Sequence, residues 1–95
     1  MKMTIGKCIE RIPLMTSDER VEYMPQLMNL LSSESLNRLL IFQSSQTGQD
    51  YSLYRKAVDE EIVRCLQFEV SEAGQELRRI HDLPVISLDT ILSEV

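Results

Sequence analysis

The sole histidine of the chain, His81, is the first residue to consider for chemistry, because the carboxylate Asp82 follows it directly. A histidine oriented by a carboxylate acts as a general base when a nucleophile lies within hydrogen-bonding reach. Neighbours on a helix, however, point about 100° apart, so His81 and Asp82 are poorly placed to work as a pair. The pattern favours a histidine at a helix end, where its cation suits the helix dipole. We therefore expect no catalytic residues.

The cysteines and glycines indicate neither a metal site nor a cofactor site. Cys8 and Cys65 are the only cysteines, and they lack the paired spacing of zinc ligands. Both occupy apolar positions of predicted helices, which favours buried thiols. Glycine occurs only at positions 6, 48 and 74, so the glycine-rich loops that hold nucleotide phosphates are missing.

Acidic residues of the second half are the main candidates for contact with a partner. The chain has 10 basic and 15 acidic residues, and the whole net charge of −5 arises after residue 49. Such a surface repels phosphate backbones and attracts basic proteins. The six candidates are Asp59, Glu60, Glu61, Glu69, Glu72 and Glu76. The alternative is a solvated helix face, balanced by Arg55, Lys56 and Arg64, whose charge only aids solubility.

Three methionines, Met15, Met24 and Met28, surround Pro25. Flexible thioethers fill irregular cores and also line adaptable binding grooves. Met24 and Met28 are therefore candidates for the core or for a partner interface, including an interface between two copies of the chain.

A DNA-recognition helix is best sought at residues 34–43, which contain Asn37, Arg38 and Gln43. Recognition helices carry basic and amide side chains, whereas this segment is mostly apolar. Direct binding to nucleic acid is thus an unfavoured alternative.

Helices must position these residues, and the first begins behind Thr4. Apolar residues recur at helical spacing from Ile5 to Ile12, which predicts a helix over 5–12 that Pro13 closes. Thr16 caps the next helix, and its predicted apolar face consists of Val21, Met24, Met28 and Leu31. Pro25 interrupts that face, so we expect a break or kink, with two short helices in place of one long helix.

A third helix follows the capping cluster 32–35. The apolar residues of 34–43 predict a strongly buried helix, and the polar segment 44–49, which includes Gly48, predicts a loop.

Asp50 can cap the longest helix, near residues 50–69. One side of this helix carries an apolar stripe, and Asp59 and Glu60 lie on the opposite, solvent-facing side. The residues of the apolar stripe are Tyr51, Tyr54, Val58, Ile62 and Cys65. The segment 66–70 has an extended conformation as its alternative, because it is rich in β-branched and aromatic residues.

The C-terminal quarter begins with a helix over 72–82, which Ser71 and Glu72 start and which holds Leu77 and Ile80. Pro84 then ends the helical pattern, and residues 84–87 are expected to be extended, either across the core or as an isolated strand. A last helical turn is predicted through Ile91, Leu92 and Val95.

Composition and length indicate one domain over residues 1–95. A second core would leave each half too short to offset chain entropy, and 43% hydrophobic residues with few aromatics favour helices. The predicted fold is all-α: a compact bundle of about five short helices, the longest near 50–69, with a possible short extended segment near 84–87.

The predicted function is that of a small, acidic, non-catalytic protein-interaction module, acting as a regulator, adaptor or inhibitor. Two cysteines without a disulfide framework, and a start without a long apolar run, predict a cytoplasmic protein without membrane contact. The alternative function is regulation of nucleic-acid machinery, by an acidic inhibitor that occupies a partner's nucleic-acid site or by weak DNA binding.

Overall fold

The computed structural model describes residues 2–92, most of which are helical. Its five α-helices are α1 (Ile5–Arg11), α2 (Ser17–Leu30), α3 (Ser33–Ser45), α4 (Tyr51–Val70) and α5 (Glu72–Ile80). A 3-10 turn, Ile12–Leu14, connects α1 to α2, and the strands β1 (Met3–Thr4) and β2 (Ile91–Leu92) pair antiparallel. The predicted all-α bundle, with its longest helix after Asp50, is confirmed. Within residues 2–92, no helix has the length and apolar character required to cross a bilayer.

Local capping residues determine where each of these helices begins. In every case a side-chain oxygen of the N-cap accepts a hydrogen bond from the backbone N–H three residues later. The five N-caps are Thr4, Thr16, Ser32, Asp50 and Ser71. The Glu19 carboxylate in turn accepts a hydrogen bond from the backbone N–H of Thr16, which completes a capping box. All five starts follow from the sequence pattern.

Helix α4 is the centre of the bundle, because α1, the 3-10 turn, α3 and α5 all pack against it. The buried apolar residues of α4 are Val58, Ile62, Cys65 and Leu66. They meet the side chains of Ile5, Cys8, Ile12, Tyr23 and Leu27 in one hydrophobic core. Tyr51, at the start of the predicted stripe, is instead exposed, since it lies beyond the end of the packed region.

Helix α2 is one continuous helix, so the prediction of two short helices at Pro25 is wrong. Pro25 deprives the carbonyl of Val21 of its usual donor, but both residues are exposed, which leaves that face of the helix open to water. The Gln26 side chain also donates to the carbonyl of Glu22 at 2.9 Å, beside the proline. The exposure of Val21 corrects the predicted apolar face as well, because Tyr23 and Leu27 are the buried residues of α2.

Helix α3 is much less buried than its apolar sequence predicts. It packs against α4 through Ser35 and Leu39, whereas Leu40 and Ile41 are 60% and 71% exposed. Leu77 and Ile80 of α5 are exposed too, and the buried residues of α5 are Gly74 and Arg78. Apolar patterning located these helices correctly but overestimated how much of each is covered.

Residues 84–87 form a short extended segment, as predicted, and a turn follows at Leu88 and Asp89. The predicted last helical turn is wrong. Ile91 and Leu92 form β2, and Val95 lies outside the described residues. The backbone N–H groups of Ile5 and Gly6, in the first turn of α1, donate at 2.9 Å to the carbonyls of Thr90 and Leu88. Helix starts have N–H groups without partners in their own helix, and carbonyls of the C-terminal segment satisfy two of them.

Candidate functional site

Three of the six acidic candidates, Asp59, Glu61 and Glu69, are buried. The prediction that Asp59 faces solvent is therefore wrong. Helix α4 is packed against neighbouring segments on several sides. Residues outside its apolar stripe are therefore covered as well. A buried carboxylate must be paired or hydrogen-bonded, and each of the three has an arginine partner.

Asp59 holds α2 and the 3-10 turn against α4 through Arg20. The two guanidinium Nη atoms of Arg20 donate to the two carboxylate oxygens of Asp59 at 3.1 and 2.5 Å. One of them also donates to the backbone carbonyl of Ile12 at 2.9 Å. This bidentate geometry joins three segments at one point.

Glu61 joins α3 to α4 by bonding two arginines. Arg38 on α3 donates to one carboxylate oxygen at 2.9 Å, and Arg64, one turn along α4, donates to the other at 2.8 Å. Burial alone would raise the pKa of Glu61, but the hydrogen bonds and charges of Arg64 and Arg38 outweigh it and lower that pKa below its ordinary value. Glu61 is thus a structural anion.

Glu69 is 1% exposed and lies where α2, α3, α4 and α5 meet. It accepts a hydrogen bond from the backbone N–H of Ser32 at 2.5 Å and pairs with Arg78 at 3.2 Å. Arg78 also donates to the carbonyls of Leu30 and Pro84, at 2.7 and 2.8 Å. One buried ion pair therefore connects the end of α2, the start of α3, both later helices and the extended C-terminal segment.

The other three acidic candidates, Glu60, Glu72 and Glu76, are exposed. The structure does not bring all six together: Glu60 lies on α4, whereas Glu72 and Glu76 lie one turn apart on α5. Glu76 is paired with Arg79 at 2.5 Å, whereas Glu72 makes no ion pair within residues 2–92. Glu72 and Glu76 line one cavity together.

That cavity, the acidic groove, separates α5 from the extended C-terminal segment and has a volume of about 620 Å³. It is lined by Val70, Glu72, Gln75, Glu76, Arg79, Val85, Ile86 and Ser87. Gln75 donates through Nε2 to the carbonyl of Ile86. Its Oε1 is buried and accepts no hydrogen bond from the described residues. The groove thus combines one unpaired carboxylate, that of Glu72, with apolar walls.

A second cavity, the α2–α4 groove, contains one of the two methionine candidates and has a volume of about 350 Å³. It is lined by Ser17, Arg20, Met24, Tyr51, Tyr54, Arg55, Val58, Asp59 and Ile62. Met24 is half-buried in its wall, whereas Met28 packs against the core without lining the groove. Both methionines thus pack against the core, and Met24 also lines the α2–α4 groove.

His81 does not form a pair with Asp82. It is the C-cap of α5, and its Nε2 lies 3.2 Å from the Glu34 carboxylate on α3, with both side chains about half exposed. No cluster of three or more metal-binding side chains occurs in residues 2–92. Cys8 and Cys65 are free, buried thiols. Burial, with a contribution from the Glu19 charge, raises the pKa of Cys8 to about 11, and burial also raises the pKa of Cys65.

Sequence reasoning missed the arginine partners of the buried carboxylates. Arg20 lies 39 residues from Asp59, and Arg38 lies 23 residues from Glu61, so neither pair has a helical spacing.

Comparison of the chain with family models, with curated proteins and with solved structures finds no match.

Proposed function

We propose that this protein is a small, non-catalytic protein-interaction domain whose acidic groove binds a basic, partly apolar segment of a partner protein. The observation that carries this proposal is the exposed, unpaired carboxylate of Glu72 in a groove with apolar walls. A carboxylate accepts hydrogen bonds, and an ammonium or guanidinium group supplies only donors.

The apolar part of the groove suits the stem of a lysine or arginine. Such side chains lay their methylene groups along apolar surfaces while the charged end reaches a polar partner. Val85 is 82% exposed at the groove wall. The backbone of Val85 makes no hydrogen bond among residues 2–92, so an extended partner segment can pair with it as an added strand.

The proposed biological role is that of a cytoplasmic regulator, adaptor or inhibitor. Two free thiols support the reducing compartment. An inhibitor that covers a partner's nucleic-acid site is one form of this proposal, because such sites present the basic side chains that the groove would accept.

The proposal is tested by titrating two short synthetic peptides into isotope-labelled protein and following backbone amide resonances by NMR. One peptide alternates valine with lysine, and the other alternates valine with glutamate. We expect the lysine peptide to shift the resonances of Gln75, Val85 and Ile86, with an affinity that falls as salt rises. The glutamate peptide should leave these three resonances unchanged.

Charge-neutral variants identify the groove itself. Glu72→Gln should weaken binding of the lysine peptide by about threefold to tenfold. This is the effect expected for the loss of one ion pair that is exposed or partly desolvated. Glu60→Gln removes the same charge from an exposed position on α4 and is the matched control. An equal effect of both variants would show that only net charge attracts the peptide, and it would refute the groove.

A second copy of the chain is the alternative partner, and the exposed Leu40 and Ile41 of α3 favour it. Glu34 and Arg38, on the same helix, carry opposite charges, so these two residues add no net repulsion between two copies of this face. Sedimentation equilibrium should then show a dimer that Leu40→Lys disperses. A monomer at all accessible concentrations would exclude this alternative.

A further inference from the structure

The α2–α4 groove differs from the acidic groove in its charge. The guanidinium of Arg20 at its base is neutralised by Asp59 and bonded to the carbonyl of Ile12. Arg55, by contrast, lines the groove without a carboxylate partner in the described part of the chain. Arg55 is therefore the cation of this groove that is available to a ligand.

The basic character continues beside the groove. Arg55 also lines an adjoining cavity of about 440 Å³, together with Ser52, Lys56 and Glu60. Lys56 is exposed and likewise makes no ion pair among residues 2–92. Because Arg20 neutralises Asp59 in the interior, two cations face one exposed anion, Glu60, along this part of α4. The surface charge is thus opposite to that expected from the acidic run in the sequence.

The walls of the groove consist of side chains that are typical of binding sites. Tyr51 is 74% exposed, Tyr54 and Met24 are half-buried, and Val58 and Ile62 form an apolar floor. Tyrosine, methionine and arginine are enriched in protein interfaces. A tyrosine or an arginine also often provides a large part of the binding energy.

We infer that the α2–α4 groove is a second binding site, which takes a partner segment with a large apolar side chain next to a carboxylate. The apolar side chain packs on Met24 and Tyr54, and the carboxylate accepts hydrogen bonds from Arg55. Charge complementarity selects this occupant, because Arg55 and Lys56 repel a basic segment and attract an acidic one. This site has no lining residue in common with the acidic groove. The inference can therefore be tested independently of the proposed function.

A library of short random peptides displayed on phage tests this inference directly. The library is selected on the full chain after subtraction on Arg55→Glu, and enriched peptides are measured by fluorescence anisotropy. We expect the enriched sequences to contain aspartate or glutamate close to a large apolar residue. Arg55→Gln should then weaken their binding by about tenfold, the scale of one charge-assisted hydrogen bond.

Control variants separate the groove from general charge effects. Lys2→Gln removes one exposed, unpaired cation that does not line the α2–α4 groove and should leave the affinity within about twofold, as is usual for surface charges outside a site. Tyr51→Ala tests the apolar wall at a position too exposed to affect folding, and it should also reduce binding. Circular dichroism checks that each variant keeps its helical content.

Three results would overturn the inference. The first is a selection that enriches no peptide, or enriches peptides without acidic residues. The second is an affinity that Arg55→Gln and Lys2→Gln change equally. The third is a dimer, seen by sedimentation equilibrium, that Tyr51→Ala dissociates, because a second copy of the chain would then fill the groove.

Discussion

Removal of either partner of the Glu69–Arg78 ion pair should destabilise the protein severely. The pair is almost completely shielded, with 1% and 3% side-chain exposure. Arg78→Met leaves the Glu69 carboxylate buried with one remaining donor, the N–H of Ser32, and it deprives the carbonyls of Leu30 and Pro84 of their bonds to the arginine. Breaking one side of a buried pair costs about 3–5 kcal/mol, out of a total stability of about 5–15 kcal/mol for a typical domain.

Glu69→Gln should lower the free energy of unfolding by a similar amount, because it leaves the Arg78 charge uncompensated. It keeps the side-chain volume, so the loss reports on the charge. The double variant buries no charge, so its loss should be smaller than the sum of the two single losses by at least about 1 kcal/mol. Urea unfolding followed by far-UV circular dichroism gives all four free energies of the cycle.

The neighbouring pair Glu76–Arg79 is the matched control, because Arg79 follows Arg78 directly on α5 but the side chains of this pair are more than half exposed. Arg79→Met should change the free energy of unfolding by less than about 1 kcal/mol. If Arg78→Met were as mild as Arg79→Met, burial would not determine the cost, and the role assigned to this pair would be wrong.

Three further changes test other parts of the structure. Gly74→Ala places a methyl group into the carbonyl oxygen of Phe68 at the corner between α4 and α5, so it should lower the melting temperature strongly; an unchanged melting temperature would contradict this packing. Asp82→Gly should raise the stability by about 0.5–1 kcal/mol in urea unfolding, because Asp82 holds a left-handed conformation with φ of 57° after a helix C-terminus; a loss would show that its carboxylate makes a favourable interaction. The arginines outweigh burial and lower the pKa of Glu61 in the folded state. The contribution of ionised Glu61 to the free energy of unfolding is therefore fully present above the ordinary carboxyl pKa of about 4.3 and is lost as the pH falls through the lower folded value. Glu61→Gln should make the free energy of unfolding depend less on pH on the acid side, and an unaltered pH dependence would exclude this assignment.

The starts of the helices are the part of the fold that sequence reasoning predicts best. Thr4, Ser32 and Asp50 act through hydrogen bonds that span three residues, so their effect is contained in the local sequence. The continuous helix through Pro25 was not predictable in this way. Whether the helix continues through Pro25 depends on which face of α2 is exposed to water, and tertiary packing determines that face.

The partner surfaces were predicted less well, because charge along the sequence differs from charge on the surface. Glu72 and Glu76 are exposed as expected, but Asp59 and Glu61 are neutralised inside the bundle by Arg20 and by Arg38 with Arg64. A run of three acidic residues thus contributes one exposed carboxylate, Glu60.

The sequence by itself determined the all-α class, the five helix starts and the extended segment after Pro84, since caps, periodicity and proline act over a few residues. Only the tertiary structure decided which charges are buried and which grooves remain open. Glu69 and Arg78 meet because two helices cross there, and Arg55 stays unpaired because the nearby carboxylate Asp59 is bonded to Arg20. These pairings join residues that are distant in sequence, and no local pattern contains them.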